Sequence, residues 1–155
     1  MVVKPWYRQF YLRRGDAEWA SDRVSDRGYE RRLEAIEGFV FIGTTMYGSP
    51  TSVVVELHDG DVGRLDSSAD RVVEASISGE GSIAILNWGE VQPVRVMSVP
   101  RGSARLRTSW FGIGAAEVHP GNDRGGDEES PEHLLLQLWP APMTDSCLVR
   151  KWVHD

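Results

Sequence analysis

"SPEHLLLQLWPAP", residues 130–142, is the stretch on which the fold turns. An apolar run bounded by Pro131 and Pro140 has the length of a strand. It cannot extend as a helix, because proline removes an amide donor and clashes with the preceding turn. Side chains alternate across a strand, so Leu134, Leu136 and Leu138 fall on one face and Leu135, Gln137 and Trp139 on the other. Residues 133–139 read as a late core strand, entered from the acidic run "NDRGGDEESPE", residues 122–132.

Working outward, the same short runs recur, punctuated by Gly, Pro, Asp and Ser. Residues 6–13 alternate, with Trp6, Arg8, Phe10 and Leu12 opposite Tyr7, Gln9 and Tyr11. Residues 39–47 and 52–58 are rich in Val, Ile, Thr and aromatics and are separated by "GSP", which reads as a hairpin. Strands are expected over 71–78, 82–88, 104–111 and 147–153, and over 91–99 as an edge or bulge because of Pro93. Eight or nine closely spaced strands predict an all-β, immunoglobulin-like β-sandwich with at most one short helix. The one ambiguous segment is "SDRGYERRLEAIEG", residues 25–38. Tyr29, Leu33 and Ile36 have helical spacing and Gly38 suits a C-cap, yet "RRLEAIE" also alternates; a short helix is favoured.

At 155 residues the chain is expected to form a single domain spanning 1–155. Its formal charge of −6 argues against nucleic acid as a partner, since phosphate-gripping domains carry a basic face. Fifteen of the 17 basic residues are Arg, a bias that reflects genome base composition more readily than function. The lone cysteine, Cys147, excludes an internal disulfide. The first residues lack the apolar core of a signal peptide, and no run approaches the roughly 18 apolar residues of a membrane span. The expectation is a cytoplasmic protein with no membrane partner; the oligomeric state is not set by the sequence.

The acidic run offers Asp123, Asp127, Glu128, Glu129 and Glu132, but without the alternating ligands and distal bidentate Glu of a calcium loop. Two readings stay open: an exposed loop, or an electrostatic docking surface centred on Asp127, Glu128 and Glu129. His58, His119, His133 and His154 lack zinc spacing, and "LHDGD", residues 57–61, is first a turn. "FGIGAAE", residues 111–117, holds two glycines of a dinucleotide fingerprint, but Glu117 takes the third position and the strand–turn–helix context is not expected. With no nucleophile elbow and no P-loop, no catalytic residue, cofactor or metal is assigned. Six scattered tryptophans, at 6, 19, 88, 110, 139 and 152, suit a sandwich core, with ligand stacking as the second reading. Glu74, Arg105 and Arg107 stand on strands with apolar neighbours. Arg105 and Arg107 share a face opposite Leu106, either as a solvated sheet face with cross-strand charge pairs or as a recognition surface for an acidic group.

The phrases "YRQFYL", "GFVFIGTTMYGSP", "DRVVEASIS", "VPRGSARLRTSW" and "HLLLQLWPAP", taken in order, resemble a group of uncharacterised actinobacterial small β-sandwich proteins. More distantly, Tyr7, Gln9 and Phe10, the Gly38–Phe39 strand start and the strand order resemble the ComJ-type nuclease-inhibitor proteins. The chain departs from that pattern at Arg8, where a small polar residue is expected. The resemblance implies a β-sandwich that acts by protein contact. The resulting expectation is a non-enzymatic, inhibitor- or immunity-like protein that binds a basic protein partner. The alternative is a small-ligand or carbohydrate-binding module that uses exposed tryptophans.

Overall fold

The computed structural model describes residues 1–15 and 17–152. In chain order it runs β1 (Val2–Val3), a 3-10 turn (Trp6–Arg8), β2 (Gln9–Arg14), a second 3-10 turn (Ser21–Arg23), α1 (Asp26–Arg31), β3 (Leu33–Ile36), β4 (Phe39–Gly43) and β5 (Thr51–Leu57). It continues with β6 (Arg71–Gly79), β7 (Ser82–Asn87), β8 (Arg95–Ser98), β9 (Gly102–Phe111), α2 (Ile113–Glu117), β10 (His133–Pro140) and β11 (Cys147–Arg150). A six-stranded sheet has the order β1-β5-β10-β9-β6-β11 and a five-stranded sheet the order β3-β4-β2-β7-β8. All pairings are antiparallel except β5 with β10, which run parallel from Ser52↔His133 to Leu57↔Leu138.

The two sheets close on one core. Phe10, Leu12, Val40, Ile42, Ile83 and Ile85 come from one sheet and Val73, Ile77, Leu106, Leu134, Leu136 and Leu138 from the other. β10 behaves as its alternation requires: Leu134, Leu136 and Leu138 are at most 3% exposed, while Leu135 and Gln137 are half-buried on the far face. A second, smaller core lies on the outer face of the five-stranded sheet, where Ala20 and Val24 cover Tyr11, Phe39 and Phe41. Both faces of β4 are therefore apolar, which is why its run of residues shows no clean alternation.

The eleven strands among the described residues exceed the expected eight or nine, and the two α-helices exceed the expected one. The additions are short. β1 has two residues and β3 four, too few to display a period. α2 is a single turn that buries only Ile113 and Ala116. Residues 25–38 hold both readings in succession. Ser25 caps α1 by accepting from the Gly28 amide, Arg32 ends the helix in the left-handed region, and β3 follows at once. Gly38 is thus no C-cap. With Glu37 (φ 47°) it makes the two-residue turn between β3 and β4, where Gly38 has φ 87°. A two-residue hairpin loop with both central φ positive is the type I′ turn that matches strand twist.

The expected hairpin across "GSP" is overturned: β4 and β5 lie in different sheets. Within the crossing segment Gly48 (φ 63°) sits against Trp6, where a Cβ would stand 2.5 Å from the indole. Residues 6–8 form a turn and not the start of a strand. The Pro93 segment ends as expected, with β8 on an edge. β11 stops at Arg150, and Val153 and His154 lie outside the described residues.

Candidate functional site

The acidic loop does not hang free. Arg8 pairs with Asp123, Lys4 Nζ stands 3.1 Å from Asp127, and His119 Nε2 stands 3.5 Å from Glu128. The Tyr47 amide donates to the Asn122 carbonyl, and Gly125 lies against Trp6 and Tyr47, where a Cβ would meet either residue at 3.2 Å. Glycine is needed here twice over, since Gly125 has φ 63°. The carboxylates of Asp123, Asp127 and Glu128 remain largely solvent-exposed at the rim, and Glu129 is exposed beside them.

Beneath that rim runs a row of rings that sequence distance conceals. Trp6 meets Tyr47 edge-on with centroids 5.5 Å apart. Tyr47 meets Tyr7 at 5.5 Å, and Tyr7 meets Trp88 at 4.4 Å. Tyr7 is 58% exposed and Trp88 39% exposed. The backbone that presents Tyr7 is unusual: Tyr7 and Arg8 both have positive φ, 55° and 60°. Bulky residues adopt that region at a cost of order 1 kcal/mol each. The conformation is fixed by the Arg8 amide donating to the Pro5 carbonyl and the Thr44 amide donating to the Arg8 carbonyl. Beyond Trp88 the row opens into a groove of about 320 Å³, lined by Trp19, Arg13, Ser21, Leu86 and Glu90 among others.

Glu74, Arg105 and Arg107 are brought together on β6 and β9. The Arg105 and Arg107 Nε atoms donate to the two Glu74 carboxylate oxygens at 3.2 and 2.7 Å. The remaining Arg105 donors go to Ser76, to the Thr144 hydroxyl and carbonyl, to the Asp145 carbonyl and to Cys147 Sγ. Arg107 lies 5.3 Å over the Trp139 ring and donates to the Gly63 carbonyl. All three side chains are at most 15% exposed. The cluster clamps residues 144–147 onto the sheet.

Glu132, the last acid of the run, separates from the others. It is wholly buried. Its carboxylate accepts from the Thr45 amide at 2.7 Å, the Thr45 hydroxyl at 2.9 Å and Arg32 at 3.1 Å. Burial raises its pKa, against those hydrogen bonds and the Arg32 charge, which lower it.

No family model matches the chain, and no curated protein matches it in sequence. Neither comparison supports the likeness to actinobacterial proteins. Among solved structures the chain is similar to ComJ, inhibitor of the DNA-degrading activity of NucA, from Bacillus subtilis. The TM-score is 0.65 at 13% identity, covering 91% of this chain and 94% of that one. It is also similar to a structure described as crocagin biosynthetic gene J, with a TM-score of 0.59 at 14% identity, covering 92% and 96%. At such identities the likeness establishes a shared fold, and function has to be argued from the site.

Among the described residues no three His, Cys, Asp or Glu side chains are grouped so as to hold a metal ion. In "LHDGD", Asp61 accepts from the Gly63 amide at 2.8 Å, closing a turn. "FGIGAAE" does contain a strand–turn–helix, which the sequence did not lead us to expect. Its helix α2 is one turn long, however, and the next strand, β10, pairs antiparallel with β9. A dinucleotide fold requires a parallel return. No described helix is long and apolar enough to cross a membrane.

Proposed function

We propose that this protein is a non-enzymatic protein-binding module, inhibitor- or immunity-like in mode, that takes a basic protein partner in the cytoplasm. The observation that carries the reading is the unbroken row Trp6–Tyr47–Tyr7–Trp88 with the acidic loop packed along it. Binding hot spots pair aromatic anchors with a surrounding polar rim. Here Tyr7 and Trp88 supply the anchors, and Asp123, Asp127, Glu128 and Glu129 the rim. A strained backbone that lifts Tyr7 out of the surface supports a functional reading of the same place. The inhibitory role of the fold neighbour ComJ is compatible with it. Within this reading the frame is an immunoglobulin-like sandwich used as a single-domain scaffold, nucleic acid is not the ligand, and Glu74, Arg105 and Arg107, paired with one another and at most 15% exposed, brace the scaffold instead of meeting the partner.

The test is affinity capture from the native host with wild type, Tyr7→Ala/Trp88→Ala and Asp127→Asn/Glu128→Gln/Glu129→Gln, followed by binding measurements on the purified partner. The aromatic variant should lose a basic partner outright. A partner retained equally by both variants would place the interface elsewhere.

The groove between Trp19 and Trp88 favours a second reading, a carbohydrate or other small ligand stacked on the rings. Tryptophan fluorescence that responds to sugars and is lost in Trp19→Ala would select it.

A further inference from the structure

A cavity of about 530 Å³ lies between α1, the start of β6 and β11, lined by Arg27, Glu30, Arg31, Arg71, Leu148 and Lys151. In a chain of net charge −6, four cations face it against one carboxylate. Arg27 and Arg31 are one helical turn apart, so they project from the same face of α1. Among the described residues none of the four cations forms a salt bridge. Among the described residues the Arg31 side chain donates only to the Ser146 carbonyl and hydroxyl, at 3.2 and 3.0 Å.

Arg71 reaches the same cavity from the start of β6. It is 9% exposed, and one terminal nitrogen donates to the Glu30 carbonyl at 2.9 Å. Its Nε is buried with no hydrogen-bond partner among the described residues. Burial, then the neighbouring Arg32 charge, pushes the Arg71 pKa down, with Glu117 opposing.

From this geometry we propose that the cavity binds a phosphate-bearing small molecule of nucleotide size. Guanidinium forks reaching one space from different elements suit the several oxygens of a phosphate group, which planar carboxylates match less well. The volume exceeds that of one phosphate and lies in the range of small-molecule sites. Leu148 adds an apolar wall for the remainder of the ligand. This site is independent of the aromatic row and does not rest on the docking reading.

The experiment is calorimetric titration of the full chain at low salt with ADP, inorganic pyrophosphate and adenosine. ADP should bind at one saturable site, adenosine should not, and added salt should weaken binding. Pyrophosphate bound as tightly as ADP assigns recognition to the anion alone; weaker pyrophosphate binding assigns a contribution to the nucleoside. Both results support the site. Arg27→Gln/Lys151→Gln removes two exposed cations that the fold does not use and should weaken ADP by about tenfold or more with an unchanged melting temperature. Arg71→Lys, which keeps the charge and loses the fork, should weaken it further. The proposal is overturned by the absence of heat from both anions at millimolar concentration, by adenosine binding as tightly as ADP, or by unaltered affinity in Arg27→Gln/Lys151→Gln.

Discussion

The indole of Trp110 donates its N–H to the carbonyl of Gly43 at 2.8 Å, joining β9 of one sheet to β4 of the other through the core. Trp110 is fully buried, so the bond is made away from water. Trp110→Phe keeps an aromatic ring but leaves the carbonyl unpaired and a void beside it. We expect a loss of roughly 1–3 kcal/mol from the carbonyl alone, with the void adding to it. Urea unfolding showing less than about 0.5 kcal/mol would mean the sheets are not tied at this point.

Glu132 gives a pH signature. Its folded-state pKa lies above the ordinary 4.5 because burial outweighs its hydrogen bonds from Thr45 and Arg32. A raised pKa contributes stability that is complete below pH 4.5 and is lost as pH rises through the folded-state value. The stability difference between wild type and Glu132→Gln should therefore shrink as pH rises from acid, with a slope of at most about 1.4 kcal/mol per pH unit. A flat difference across that window refutes the assignment.

Glu74 holds two buried guanidiniums. Glu74→Ala leaves both without a counter-charge, and breaking a buried pair of this kind typically costs roughly 3–5 kcal/mol. If stability instead changes by less than about 1 kcal/mol, as for an exposed pair, the cluster is solvated and free to meet a partner.

Glu37 occupies the first left-handed position of the β3–β4 turn, where asparagine is at ease and glutamate is not. Its ion pair with Arg23, 3.6 Å long and exposed, contributes little. Glu37→Asn should stabilise the protein by about 0.5 kcal/mol or more, read from the midpoint of chemical denaturation; destabilisation would show that the ion pair outweighs the turn.

Neutralising Asp127, Glu128 and Glu129 together should shift stability by no more than about 0.5 kcal/mol per residue, because all three carboxylates are solvent-exposed. Association with a basic partner should slow and lose its salt dependence. A purified partner that associates at the wild-type rate with the triple variant, at every salt concentration, would remove the loop from the interface.

Much of the sandwich was legible because its strands carry a period of two. Leu134, Leu136 and Leu138 announced β10, and Arg105 with Arg107 opposite Leu106 announced the two faces of β9. That Glu74 stands across from Arg107 was not legible, because the period along one strand does not set the register of its neighbour. What stayed hidden depends on contacts far apart in sequence. Nothing local to "GSP" reveals that the chain there crosses to the other sheet, since a turn and a crossing use the same residues. Tyr7 and Trp88 become neighbours only because β2 and β7 pair, Phe10 opposite Asn87. Glu132 looked like one more surface acid, although its position just before the buried strand β10 was a signal that it would be drawn inward.

The parallel pairing of β5 with β10 sets the order in which this chain can be assembled. β10 lies between β5 and β9, so until residues 133–140 have left the ribosome the six-stranded sheet is split and two strand edges stand open. Contacts of such long sequence separation slow folding, and open edges invite pairing with other chains. A chain truncated before His133 should therefore accumulate as aggregate instead of a smaller folded domain, and production of the intact protein should benefit from low temperature or holding chaperones during synthesis.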